Sequence, residues 1–135
     1  MIQFWNEQQT IDLLNHLVNT ASPSGYTTSI MKEIALFLEE NKIPYKKTNK
    51  GAIIATFKGN NNDQQRLLTA HTDTLGAIVK EVKSSWRLKL NKIGGFNWNA
   101  AEGEYCTIHT ANGKKIRGTI LMHETTVHVY AGAGD

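Results

Sequence analysis

One cysteine, two prolines and no long apolar run set the first limits on this 135-residue chain. The lone thiol, Cys106, has no internal partner. A disulfide framework is excluded, and a reducing, cytoplasmic setting is the simplest fit. No stretch approaches the ~18–20 apolar residues of a membrane span, so no membrane association is expected. The opening MIQFWNEQQT has no basic region followed by an apolar block, and no signal peptide is expected. Charge of one sign is also scarce, since fifteen Lys+Arg against twelve Asp+Glu leave only +3. The basic residues are scattered, densest at Lys46, Lys47 and Lys50. A nucleic-acid surface normally shows a stripe of charge with interleaved aromatics, so no nucleic-acid partner is expected. What remains is 40% apolar and 20% charged, an ordinary globular composition. It is long enough for one core or two small ones.

The chain reads as a helical start and a β-rich remainder. Residues 6–19 carry Ile11, Leu14, Leu17 and Val18 at helical spacing. Asn6 is placed to cap that helix, with Gln9 completing a capping box. Thr20-Ala21-Ser22-Pro23-Ser24-Gly25 reads as a loop. A second helix is predicted from Thr27 to Glu40, with Ile30, Ile34, Phe37 and Leu38 as its buried stripe. Asn41 supplies the left-handed stop and Pro44 forbids continuation.

From Tyr45 the period becomes extended. Ala52 to Phe57 and Arg66 to Ala70 read as apolar strands, the second running into His71-Thr72-Asp73. Helices followed by buried-looking strands predict an α/β class, a sheet with helices on its faces. After Gly76 the strands shorten. Ala77 to Val82 is one, and Trp86 to Leu90 is another, with Trp86, Leu88 and Leu90 on one face. Ile93-Gly94-Gly95-Phe96 reads as a kink or bulge. Tyr105 to Thr110 pairs with Lys115 to Leu121 across Asn112-Gly113, a strong hairpin signal. These short strands predict a small antiparallel barrel, with the boundary near residue 75.

Chemistry is best placed at His71-Thr72-Asp73. Residues i and i+2 of an extended segment face one side, so the histidine and the carboxylate can meet. A carboxylate behind an imidazole fixes its tautomer and raises its basicity as a metal ligand. Other signals are weaker. His123-Glu124-Thr125-Thr126-Val127-His128 is one residue too long for the His-Glu-x-x-His zinc motif, because histidines at i and i+5 share neither a helical face nor a strand face. Cys106 reads as a half-buried structural thiol, His16 as a solvated side chain, and Glu102 and Glu104 as solvated carboxylates. Trp86, Phe96 and Trp98 would be the stacking residues of a single-strand binding barrel, but the basic stripe such a barrel needs is missing.

The segment Ala70-His71-Thr72-Asp73-Thr74-Leu75-Gly76, followed by an extended run and Ile93-Gly94-Gly95, resembles the TET and glutamyl aminopeptidase family of dinuclear metallo-aminopeptidases. Pro23-Ser24-Gly25 and Lys50-Gly51-Ala52-Ile53-Ile54 are similar to two further elements of that family, in the same order. The resemblance implies an α/β/α metallopeptidase domain, interrupted after the His-x-Asp motif by a β-barrel. Residues 1–75 would be the N-terminal part of the catalytic domain, and residues 76–135 an incomplete barrel of the dimerisation or assembly type. It implies that His71 binds one metal ion and that Asp73, the other residue of the catalytic pair, orients His71. It implies two divalent ions, zinc or cobalt, in the complete enzyme, with a peptide as substrate and a homo-oligomer as its assembly.

Two departures qualify this. The family commonly has Asp-Glu-Ile-Gly where this chain has Asp73-Thr74-Leu75-Gly76, so a charge is missing beside the site. The family's remaining ligands and its general-base glutamate fall later than residue 135. A catalytic zinc needs about three protein ligands, and one is found here. The expectation is the N-terminal portion of an aminopeptidase, inactive and without bound metal as this chain alone. The competing expectation is a non-catalytic oligomerisation or binding module derived from the same family.

Overall fold

The structure is a computed structural model that describes residues 6–61, 63–121 and 128–129. Helix α1 spans Glu7–Val18 and α2 spans Thr28–Glu40. Six strands follow: β1 Tyr45–Lys47, β2 Ile53–Ala55, β3 Gly76–Val82, β4 Leu88–Ile93, β5 Tyr105–His109 and β6 Lys115–Thr119, with a 3-10 turn at Trp98–Ala100. The chain divides into two compact units, Met1–Gly95 and Phe96–Asp135. The β3–β4 hairpin belongs to the first, so this division falls after the change of periodicity near residue 75.

In the first unit α1 begins where its cap residue dictates. The Asn6 side chain accepts from the Gln9 N–H at 3.0 Å, which satisfies one of the orphan donors of the first turn. The α2 helix ends in a Schellman motif: Lys42 N–H donates to Glu39 C=O at 3.0 Å and Ile43 N–H to Leu38 C=O at 2.8 Å. The left-handed residue is Lys42, at φ 56°, rather than Asn41, whose φ is −85°. Asn41 contributes through its side chain instead, donating from Nδ2 to Phe37 C=O.

The core of the described residues is small and lies on α2. Ile30, Ala35 and Leu38 are its buried apolar side chains. Ile34 is half-buried and Phe37 is exposed, so the stripe is narrower than its sequence period suggests. On α1 the half-buried residues are Leu13 and Leu17, while Ile11, Leu14 and Val18 form an exposed row. His16 on α1 is not simply solvated, because its Nε2 lies 3.3 Å from Glu33 Oε2 of α2.

Helices and strands are both present, as an α/β class requires, and the strands of the described residues form small separate sheets. All three are two-stranded and antiparallel, β1–β2, β3–β4 and β5–β6, and among the described residues they close no barrel. Arg66–Ala70 is not a strand and pairs with none of the six. Its composition explains the difference. Leu67 and Leu68 suit a strand buried on both faces of a parallel sheet, but a ladder requires neighbours, and here Leu68 is 96% exposed. Burying one such leucine is worth about 1.5–3 kcal/mol, which this segment forgoes.

The three hairpins share one loop. Thr48 N–H donates to Ala52 C=O and Gly51 N–H to Thr48 C=O, with Gly51 at φ 87°. The same pair of bonds joins Thr110, Gly113 and Lys114, with Gly113 at φ 80°. Each is a turn closed by a left-handed residue, a three-residue hairpin loop. Asn112 keeps a negative φ, so Asn112-Gly113 does not form the two-residue type I′ turn its sequence suggests. In β3–β4 the bonds run from Lys83 N–H to Arg87 C=O and from Trp86 N–H to Lys83 C=O. Here the left-handed place is held by Trp86, at φ 62° and 89% exposed. Trp86 is therefore a turn residue, and it does not share a strand face with Leu88 and Leu90.

In the second unit Cys106 pairs with Gly118 and Ile108 with Ile116. The Cys106 thiol is half-buried, as a structural cysteine would be. Phe96 packs edge-on against Trp98, with ring centroids 5.3 Å apart. The Arg117 guanidinium sits over the Tyr105 ring at 3.8 Å. Residues 122–127, which include His123 and Glu124, lie outside the described residues.

A bulky residue at φ above zero costs about 1 kcal/mol that glycine avoids. Trp86→Gly is therefore expected to raise stability by about 0.5–1 kcal/mol, read from the midpoint of a urea titration. Lost side-chain burial will not offset the gain, because the indole is exposed.

Candidate functional site

The site is built on an extended segment that leaves a loop and enters β3. Residues 71 to 74 alternate strictly, with His71 and Asp73 exposed and Thr72 and Thr74 half-buried. This is the period-2 geometry expected of extended backbone. It brings the two predicted site residues together: His71 Nδ1 lies 2.9 Å from Asp73 Oδ1. With Asp73 as the acceptor, a neutral His71 ring in this pair carries its proton on Nδ1 and has its lone pair on Nε2. The side chains are 84% and 51% exposed, so the pair faces outward rather than into a core.

The inner residues tie the segment to the loop before α2. Ser22 Oγ donates to Thr72 C=O at 2.5 Å. Ser22 N–H donates to Thr74 Oγ1 at 3.2 Å, and Thr74 N–H returns a bond to Ser22 C=O at 3.2 Å. Ser22 is fully buried. Pro23 follows it and opens a turn in which Tyr26 N–H donates to Pro23 C=O at 2.7 Å, with Gly25 at φ 88°. A left-handed third residue is what a type II turn requires, which explains the glycine of Pro23-Ser24-Gly25.

Two more glycines permit close approach. A Cβ on Gly76 would lie 2.7 Å from Pro23 Cβ. A Cβ on Gly94, at φ 95°, would lie 2.7 Å from Leu75 Cδ2. The kink expected at Gly94-Gly95 is thus the place where the end of β4 passes the site segment. Sequence reasoning missed Ser22. Its only signal was position, one residue before a proline turn, and its partners lie about fifty residues away.

As a candidate metal centre the segment offers one donor. His71 offers one nitrogen with a carboxylate behind it, which suits a divalent cation such as zinc. Among the described residues no group of three or more His, Cys, Asp or Glu side chains converges to hold an ion. Glu102 and Glu104 are exposed, in keeping with solvated carboxylates.

Comparisons with known proteins agree with one another. Residues 51–135 match the family model of M42 glutamyl aminopeptidases. The Bacillus subtilis (strain 168) protein named "Putative aminopeptidase YhfE" is 50% identical over 127 residues, covering 94% of this chain and 37% of that protein. A crystal structure of a TET aminopeptidase from the marine sediment archaeon Thaumarchaeota archaeon SCGC AB-539-E09 superposes with a TM-score of 0.72 at 24% identity. It covers 93% of this chain and 34% of the other, and shows a common fold. The chain thus spans little more than a third of the length of the relatives it matches.

An exposed pair contributes little to stability. Asp73→Ala and His71→Ala are each expected to move the urea midpoint by less than about 0.5 kcal/mol equivalent. A loss of several kcal/mol in either variant would make the pair a structural element instead.

Proposed function

Because the chain belongs to the M42 glutamyl aminopeptidase family, we propose that it is the N-terminal portion of a metal-dependent aminopeptidase, a hydrolase that releases N-terminal residues from peptides. The observation that carries this reading is the His71–Asp73 pair, joined at 2.9 Å and turned outward from a segment whose inner side is tied down. His71 is the metal ligand, through Nε2. Asp73 is the catalytic-pair partner that accepts the Nδ1 proton, fixes the tautomer and makes the imidazole a better donor.

Two divalent ions, zinc or cobalt, supply Lewis acidity and an activated water when bound in the complete enzyme. This chain's part is to present one nitrogen donor in a fixed orientation. Its described residues offer too few further ligands, so we assign the chain alone no turnover and no stably bound ion. Residues 1–75 form the N-terminal part of an α/β/α catalytic domain. Residues 76–135 form part of a barrel-type insert that serves assembly into a homo-oligomer. The setting is cytoplasmic. No described helix is long and apolar enough to cross a membrane.

Hydrolysis of aminoacyl p-nitroanilides, with zinc or cobalt supplied, tests the reading. The 135-residue chain is expected to give no rate above the blank. A polypeptide extended to the length of the relative is expected to turn over, and His71→Ala in it to lower the rate by more than about a hundredfold. Robust turnover by the 135-residue chain, abolished by His71→Ala, would overturn the claim that its site is incomplete. An extended chain indifferent to His71→Ala would overturn the role of His71.

A further inference from the structure

We propose that Ser22 and Thr74 are positioning residues, a clamp on the 72–74 backbone that holds His71 in its Nδ1–H tautomer against Asp73 and leaves Nε2 for a divalent cation. This rests on the reading of His71 as a ligand, and extends it to two residues that touch neither the imidazole nor the carboxylate in that reading.

The His71–Asp73 bond cannot order itself. Its members are 84% and 51% exposed, and a bond between exposed side chains is weak against water and side-chain entropy. The preceding segment gives no support, since Arg66–Ala70 pairs with no strand of the structure. What holds the backbone between the two site residues is Ser22. Its hydroxyl takes the Thr72 carbonyl, and its N–H and C=O take the Thr74 hydroxyl and N–H.

These bonds reach the segment from its inner side at 72 and 74, which leaves 71 and 73 together on the outer side. Ser22 is fully buried and its partners Thr72 and Thr74 are half-buried, so its bonds meet less competing water than the exposed His71–Asp73 contact does. Behind it, Pro23 rests against Gly76, where any Cβ would collide. The departure at position 74 acquires a role in this arrangement. Where the resembled family commonly carries a glutamate, Thr74 presents a neutral hydroxyl that accepts the Ser22 N–H.

The test reads the imidazole nitrogens of His71 directly, by two-bond proton–nitrogen correlation spectra of the metal-free chain at a pH where the ring is neutral. The native chain is expected to show the Nδ1–H tautomer. Ser22→Ala and Thr74→Val are each expected to lower the ratio of Nδ1–H to Nε2–H about fivefold, the effect of one hydrogen bond. Thr74→Ser, which keeps the acceptor, is expected to retain the native ratio. Should Ser22→Ala fail to fold, the Thr74 pair decides alone. A lowered melting temperature with an unchanged tautomer ratio in Ser22→Ala and Thr74→Val would overturn the proposal, leaving Ser22 and Thr74 as structural residues only.

Zinc titrated into the polypeptide extended to the length of the relative separates this from the ligand reading. A shift confined to Nε2 supports both. An unmoved Nε2 beside an intact Nδ1–H tautomer overturns the cation half of the proposal and the ligand reading with it, while the tautomer ratios still report on the clamp.

Discussion

The arrangement of the site depends on one buried serine. Ser22 joins the loop before α2 to the segment entering β3, through three hydrogen bonds that span about fifty residues of sequence. Closing so long a loop is entropically costly, and several bonds at one shielded point offset it better than one exposed contact would. From that point the geometry follows outward. Thr72 and Thr74 turn in, His71 and Asp73 turn out, and Gly76 passes Pro23 at a distance only glycine allows. The next element, α2, carries the buried Ile30, Ala35 and Leu38.

Away from this point the chain is held by local structure. Among the described residues each strand pairs with the neighbour across its own loop, and each loop is the same turn with a left-handed closing residue. Two of those residues are glycines, and the third is Trp86. Large apolar side chains remain exposed at Leu67, Leu68 and Phe57, and along Ile11, Leu14 and Val18 of α1. Surfaces of this kind normally meet other protein. The chain spans 37% of its B. subtilis relative, and the exposed residues accord with a portion of a larger fold.

Much of this was legible in the sequence wherever the cause was local. Both helices, the Asn6 cap, the β5–β6 pairing and the His71–Asp73 contact follow from spacing of three, four or two residues. What was not legible depended on partners. Arg66–Ala70 has the composition of a central strand, yet a strand exists only with a neighbour to pair with. The left-handed stop falls on Lys42 because the Schellman bonds, not the side chain at Asn41, set the helix end. Trp86 has strong strand character, and the loop geometry overrides it. Ser22 is one small polar residue among several in its loop, and only burial distinguishes it from Ser24.

The central claim is that these residues present one ordered ligand of a metal site whose other ligands are not assembled among the described residues. Elemental analysis of the purified 135-residue chain, with His71→Ala alongside, tests it most directly. Near-zero zinc and cobalt in both proteins is the expected result, because a single imidazole cannot retain an ion through purification. About one ion per chain, lost in His71→Ala, would contradict it and mean that the chain, alone or between copies, completes a site of its own.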